Sequence, residues 1–116
     1  MKYNSFRKSK TVEERLIESA SIRKKFPDRI PIILEKYNDS APDLEKYKYL
    51  VNSDDTLSIL LYHIRTRIKL DSTKAIFLTI KNEICNPCQS LYKLYEDKKD
   101  DDGFLYITYT TENTFG

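Results

Sequence analysis

Two cysteines three positions apart, Cys85 and Cys88, form the most reactive pair of side chains in the sequence. A C-x-P-C run between a strand and a helix is typical of thiol redox sites, where the helix start lowers a thiol pKa. In disulfide oxidoreductases most of the sheet follows such a motif, whereas only 28 residues follow Cys88 and the chain has no Trp. We therefore expect two buried or incidental thiols, and a small thiol-disulfide oxidoreductase is the alternative function.

The single histidine, His63, is the next candidate for chemistry. A general base needs a nucleophile and an orienting acid, and no spacing in the chain supplies them. His63 and the two cysteines also fall short of a four-ligand zinc set. The only glycines are Gly103 and Gly116, so a Gly-rich phosphate loop is excluded. We expect a half-buried structural histidine, no catalytic residue, no metal and no cofactor.

The last residue, Gly116, follows a polar segment without periodicity. A terminal glycine carboxylate on an exposed tail has no side chain to obstruct its passage through a narrow enzyme active site. Gly116 is therefore a candidate conjugation terminus, and the simpler interpretation is an accidental glycine at the end of the chain.

The composition is that of one globular domain, with 116 residues, 40% hydrophobic and 33% charged. No apolar run approaches the ~20 residues that span a bilayer, and no signal-peptide core follows Met1, so we expect a soluble cytoplasmic protein. Residues 1–29 carry nine Lys/Arg against four Asp/Glu. This basic end invites an acidic partner, but without interleaved exposed aromatics it is weak evidence for nucleic acid, and we expect none.

A capping box at Thr11 and Glu14 predicts a helix over residues 11–25. The segment before it is either a second short helix or mobile. Helical spacing predicts that one face of the longer helix is apolar and packs on the core, and that charged residues point to solvent. The predicted core residues are Val12, Leu16, Ile17 and Ala20, and the predicted solvent-facing residues are Glu13, Arg15, Arg23 and Lys24.

The rest of the chain alternates short strands with two helices. Period-two patterns predict strands over 30–36, 47–51, 75–80 and 104–110. Apolar residues three and four apart predict helices over 56–68 and 90–96, of which the first should cover the sheet. The order is therefore helix, β, β, helix, β, helix, β, which indicates an α+β fold.

Several strings carry a resemblance to a known family: RIPIILEK at 29–36, KYKYLV at 46–51, IRTRI at 64–68, KAIFL at 74–78 and DGFLY at 102–106. With the Phe-Gly ending, the chain resembles the autophagy ubiquitin-like modifiers over residues 14–116. These are relatives of the GABA-receptor-associated protein and of microtubule-associated light chain three. The resemblance implies a ubiquitin-like β-grasp with an N-terminal helical region at 1–28, a core at 29–110 and a flexible conjugation tail at 111–116.

The resemblance also implies a function in which the protein is a substrate and not an enzyme. The carboxylate of Gly116 would be adenylated, passed to enzyme cysteines as a thioester and joined by an amide bond to phosphatidylethanolamine. The implied partners are the activating, transferring and cysteine-protease enzymes of this pathway, autophagy receptors and a membrane surface. The cytoplasmic protein would then become associated with autophagosomes or other vesicles.

The strand at 46–51 is either an ordinary edge strand protected by Lys46 and Lys48 or an edge to which an extended peptide adds a strand. The resemblance implies the second, with an aromatic-x-x-aliphatic partner motif flanked by acidic residues. A peptide-binding module that is not conjugated is a further alternative. The residues implied at the aromatic pocket are Glu18, Ile22, Pro31, Ile33, Lys48, Leu50 and Phe104. Those at the aliphatic pocket are Tyr49, Val51, Leu60 and His63, and those that meet acidic groups are Arg29, Lys46, Lys48 and Arg67.

The sequence departs from its family at the aliphatic pocket. Asp55 and His63 stand where many relatives carry apolar residues, and Asn52 stands where proline is usual. We therefore expect a more polar pocket in this protein.

Overall fold

The computed structural model describes residues 5–37, 41–68 and 74–111. The predicted conjugation tail, apart from Thr111, and Gly116 lie outside the described residues, as do residues 1–4. The helices are α1 (Ser5–Ser9), α2 (Val12–Lys25), α3 (Leu57–Arg67) and α4 (Leu91–Lys98). The strands are β1 (Arg29–Lys36), β2 (Lys48–Asn52), β3 (Phe77–Ile80), β4 (Glu83–Ile84) and β5 (Leu105–Thr110).

The five strands form one mixed sheet in the order β2-β1-β5-β3-β4. β1 pairs with β2 antiparallel and with β5 parallel, and β3 pairs antiparallel with β4 and with β5. This arrangement, with helices preceding and crossing the sheet, confirms the predicted α+β class. β4 was not predicted, because the sequence pattern indicated no strand between residues 80 and 90. Lys81 and Asn82 have φ of 53° and 66°, which turns the chain tightly enough for a two-residue strand to follow.

The main core lies between one face of the sheet and helices α3 and α4. Alternate residues of each strand point to this face, so β1 contributes Ile32 and Leu34 while β5 contributes Leu105 and Ile107. α3 adds Leu57, Leu60 and Ile64, and α4 adds Leu91, Leu94 and Tyr95, all of them buried. The amphipathic pattern read from the sequence over 56–68 therefore covers the sheet, as predicted.

The opposite face of the sheet is covered by α1 and α2 over a smaller apolar cluster. Phe6 of α1, only 2% exposed, packs edge-on against Phe104 with ring centroids 5.1 Å apart. Ile33 and Tyr106 complete the buried part of this cluster. The segment before α2, left undecided by the sequence, is thus a short helix whose one aromatic side chain anchors it.

The capping box of α2 is confirmed, because Thr11 Oγ1 accepts from the Glu14 amide and Glu14 accepts from the Thr11 amide. Glu13 and Lys24 of this helix are exposed, as predicted, but the predicted core face is wrong. Val12 and Leu16 are each 43% exposed and Ile17 is 70% exposed, and Ala20 is exposed as well.

The reason is that the sheet offers α2 polar partners at the turn before β5. Arg15 Nη1 lies 2.7 Å from the buried carboxylate of Asp102, and Ser19 donates a hydrogen bond of 2.5 Å to the Asp102 carbonyl oxygen. Arg23, also predicted to face solvent, is half-buried over the ring of Tyr95. Gly103 has φ of 85°, and a side chain there would meet the Ser19 hydroxyl. The side of α2 that packs is therefore mostly polar, and Ile22 is its apolar member.

Candidate peptide-binding groove

β2 is an edge strand of the sheet. It pairs with β1 from Asn52 opposite Arg29 to Lys48 opposite Ile33, and within the described residues no strand pairs with its other side. The backbone N–H and C=O groups on that side can take one more strand. Tyr49 is buried toward α3, while its neighbour Lys48 points to the face covered by α2. An added strand would therefore contact a different set of side chains on each face.

A cavity of about 230 Å³ lies between β2 and α3. Its lining brings together all four residues implied for the aliphatic pocket, Tyr49, Val51, Leu60 and His63. Leu50, which the resemblance assigned to the aromatic pocket, lines the cavity too. The other lining residues are Arg29, Lys46, Asn52, Asp55 and Arg67. The lining is thus mixed, with an apolar wall from β2 and α3 and a polar rim.

The polar rim carries the residues in which this sequence departs from its family. Asn52 and Asp55 follow β2, and His63 comes from α3. His63 is exposed and lies edge-on to Tyr62 with ring centroids 5.8 Å apart, so the prediction of a half-buried structural histidine is wrong. The helix turns that side chain toward solvent because Leu60 and Ile64, on either side of it, take the core positions.

Three cations border this cavity: Arg29, Lys46 and Arg67. Among the described residues, no ion pair involves Arg29, Lys46 or Arg67. The Lys46 ammonium lies 5.2 Å from the ring centroid of Tyr49, and a second cavity of about 470 Å³ continues past Lys46 and Arg67. Unneutralised cations around a groove attract acidic peptides.

The residues implied for the aromatic pocket also meet, at the other end of β2. Ile33 and Phe104 are buried in one apolar cluster, and half-buried Ile22 of α2 packs against it. Pro31 is buried as well, opposite Leu50 in the strand register. Phe6, which the sequence did not assign to the site, belongs to the same cluster.

Glu18 closes the rim of that end. Its two carboxylate oxygens lie 2.8 Å from Lys10 Nζ and 2.6 Å from Lys48 Nζ. Burial alone would raise the pKa of Glu18, but the hydrogen bonds and charges of the two lysines outweigh it and lower the pKa. The ammonium of Lys48 lies 4.9 Å from the Phe6 ring centroid. Lys48 is therefore held between the carboxylate of Glu18 and the ring of Phe6.

The Cys85–Cys88 segment supports α3. The carbonyl oxygens of Pro87 and Gln89 accept from the amides of Ser58 and Leu57, two otherwise unpaired donors at the start of that helix. Both cysteines are free, and burial raises the pKa of the Cys85 thiol. A raised pKa works against the thiolate that a redox site needs.

Two features are absent from the described part of the chain. In it, no group of three or more His, Cys, Asp or Glu side chains could hold a metal ion. None of the helices it contains combines the length and apolar character needed to cross a membrane.

The mixed sheet, the crossing helix α3 and the two N-terminal helices define a ubiquitin-like protein. The family model described as "Autophagy protein Atg8 ubiquitin like" matches residues 14–116, and the chain belongs to this family.

Curated relatives and a solved structure agree with this assignment. The chain is 48% identical to Autophagy-related protein 8b and 49% identical to Autophagy-related protein 8a of Arabidopsis thaliana. Both alignments run over 117 positions and cover 100% of this chain and 96% of the relative. The crystal structure of Trypanosoma brucei ATG8 superposes with a TM-score of 0.87 at 36% identity, covering 97% of each chain. The resemblance read from the sequence is confirmed.

Proposed function

We propose that this protein is a ubiquitin-like modifier that is joined through Gly116 to phosphatidylethanolamine and then gathers autophagy receptors on the membrane. Membership of the Atg8 family and the Phe-Gly ending support the conjugation. The edge of β2, which no other strand covers within the described residues and which cavities and cations flank, supports the adaptor role and is the observation that carries it.

The chemistry of conjugation requires only a reachable carboxylate from this chain. The activating enzyme adenylates the Gly116 carboxylate, a cysteine of that enzyme and then of the transferring enzyme holds it as a thioester, and the amine of phosphatidylethanolamine displaces the thiol. The lipid then supplies two acyl chains, which is enough for stable anchoring. The protein would thus pass from the cytoplasm to autophagosomes or other vesicles, and a cysteine protease would act at the same glycine.

Conjugation is tested with the cognate enzymes, ATP and vesicles containing phosphatidylethanolamine. Deleting Gly116 should abolish the lipidated product on a gel and in mass spectrometry, whereas a Cys88→Ser variant, changed at an exposed thiol, should be lipidated normally. Unchanged lipidation of the deletion variant contradicts the proposal. Normal peptide binding combined with no lipidation of the full chain would favour the unconjugated binding module.

In the adaptor role, an extended receptor segment adds a strand to β2. Its aromatic residue would enter the end bordered by Glu18 and Lys48, and its aliphatic residue would enter the cavity beside Leu60. Acidic residues beside the motif would meet Arg29, Lys46 or Arg67. The backbone bonds supply affinity, and the two pockets supply specificity.

Titration calorimetry with an acid-flanked Trp-x-x-Leu peptide tests this mode. Arg67→Glu should weaken binding by about tenfold and reduce its dependence on salt, because it removes an unpaired cation from the groove. Lys93→Glu makes the same charge change on an exposed position of α4 and should leave affinity unchanged. Equal losses in both variants would mean that net charge, and not this groove, attracts the peptide.

The polar rim gives the groove a second test. An Asp55→Leu, His63→Val double variant should bind the same peptide more tightly. The Leu of the peptide would then remove more apolar surface from water when it enters the cavity, at ~25 cal/mol per Å². Identical affinities would show that both side chains stay in water and do not shape the pocket.

A further inference from the structure

The outer face of α2 is the least explained surface of the molecule. Ile17 is 70% exposed, more than any other large hydrophobic side chain of the described residues, and Val12 and Leu16 are each 43% exposed on the same helix. The helix is held to the sheet by its other side, through Arg15 and Ser19. Val12, Leu16 and Ile17 thus leave much of their apolar surface uncovered by the described part of the chain, whereas Ile22 packs on the sheet.

Spacing places four exposed side chains of this helix in one line. Glu13, Ile17, Ala20 and Lys24 follow one another at intervals of four, three and four residues, the spacing of a helix-pairing seam. Leu16 borders the line on one side. We call these four residues, with Leu16, the α2 seam.

The α2 seam is complementary to itself when turned end over end. Glu13 and Lys24 are symmetric about the point between Glu18 and Ser19, and so are Ile17 and Ala20. In an antiparallel pair of α2 helices, Glu13 would therefore face Lys24 of the second copy at both ends. The large Ile17 would face the small Ala20 of the second copy twice, which lets the helices approach closely.

The charges of the seam are available for such a pair. In the described part of the chain neither Glu13 nor Lys24 forms an ion pair or a side-chain hydrogen bond, and both are exposed. α2 carries acidic residues in its first turn and basic residues in its last turn. In an antiparallel pair the acidic turn of one copy would lie beside the basic turn of the other, and the two helix dipoles would also point in opposite directions.

We infer that α2 is a homotypic interaction surface, through which two copies of this chain pair as an antiparallel, two-fold symmetric helix dimer. The pair leaves the groove open, since Glu18 lies about 100° around the helix from Ile17 and faces β2. Two helices of 14 residues bury less area than stable complexes do, so the association is weak in solution. It would hold copies together where they are crowded.

Sedimentation velocity of the unconjugated full chain, at concentrations up to about 1 mM, tests the pairing. The wild type should show a concentration-dependent shift towards dimer. Glu13→Lys and Lys24→Glu should each weaken it by about tenfold, because two exposed attractions become two repulsions. Lys25→Glu, the same change one position off the seam, should leave it unchanged.

Mixing the two charge-reversed chains tests whether residue 13 of one copy faces residue 24 of the other. An equimolar mixture of Glu13→Lys and Lys24→Glu chains should dimerise like the wild type, because every facing pair is again of opposite sign. The double variant should do so by itself, and Ile17→Asp should abolish pairing in any background. Circular dichroism should show unchanged folding throughout, since all the altered side chains are exposed.

The inference is overturned if the wild type stays monomeric at the highest concentration or if the mixture associates no better than the separate variants. It is also overturned if the monomer binds phosphatidylcholine vesicles through Ile17 without self-association, which would assign the face to a membrane. Since the chain is unconjugated in these experiments, their failure says nothing about Gly116 or the groove.

Discussion

The two faces of the sheet are covered in different ways. Under α3 and α4 the contact is a large cluster of buried side chains that is almost wholly apolar. Under α1 and α2 the apolar cluster has four buried members, and ion pairs and side-chain hydrogen bonds complete the contact. Apolar burial stabilises in proportion to area, whereas a polar contact adds about 1 kcal/mol and depends on both partners. We expect the N-terminal helices to open before the main core does.

The largest effect on stability should come from the face of the sheet that α3 and α4 cover. Ile64→Ala removes a fully buried side chain from α3 and should lower the free energy of unfolding by about 2–5 kcal/mol, measured by urea denaturation. Phe6→Ala should cost less, although the ring is larger, because a five-residue helix can detach while the rest stays folded. Equal losses at the two positions would mean that both faces belong to one cooperative unit.

On the face of the sheet that α1 and α2 cover, Asp102→Asn should lower the free energy of unfolding by about 1–3 kcal/mol. It removes the charge that Arg15 faces at 2.7 Å. The buried amide can still accept from the Phe104 amide, so the turn should keep its shape. Hydrogen exchange should become faster in α2 and stay unchanged in α3. Faster exchange in both helices would contradict the separation of the two faces.

The same variant has a titration signature. Burial, together with a hydrogen bond donated to Asp102, raises the pKa of Tyr106 from 10.0 to about 12. Because the folded pKa is above the unfolded one, this contribution to stability is complete below pH 10 and is lost as the pH rises through about 10 to 12. Asp102→Asn should lower the pKa of Tyr106, observed by NMR of its ring. An unchanged pKa would mean that burial alone sets it.

Acid should also weaken the contacts that the Glu18 carboxylate of α2 makes with Lys10 and Lys48. Since the pKa of Glu18 is lowered from 4.5, its stabilising contribution is present above pH 4.5 and is lost as the pH falls below that value. Glu18→Gln should therefore reduce stability by up to about 1 kcal/mol at pH 7 and by less at pH 3, measured by urea denaturation. A difference that does not shrink in acid would exclude the two lysines as its cause.

The smallest effect should come from the outer side of α2. Ile17→Ser should change the free energy of unfolding of the monomer by no more than about 0.5 kcal/mol, because the side chain is already 70% exposed. Thermal unfolding at low protein concentration checks this value. A large loss would mean that Ile17 packs on residues outside the described part of the chain.

Local patterns in the sequence determined most of the fold. The capping box at Thr11, the spacing of Leu57, Leu60 and Ile64, and the alternation in β1 and β5 each reflect short-range geometry that any chain with those residues shares. The resemblance located the strings that meet at the groove, from Ile33 and Phe104 at one end to Leu60 at the other. These positions could be predicted because local sequence patterns or the family resemblance are enough to place them.

Tertiary structure decided what local patterns could not. The sequence shows Val12, Leu16 and Ile17 as an apolar face and Arg15 as a solvent-facing charge, and the fold reverses both. Arg15 is held by Asp102, which lies 87 positions away, and the local pattern of α2 does not indicate that partner. The exposure of His63, by contrast, follows from the local spacing of Leu60 and Ile64, which take the core positions of α3. A helix has one side to bury, and which side it buries depends on the surface it meets.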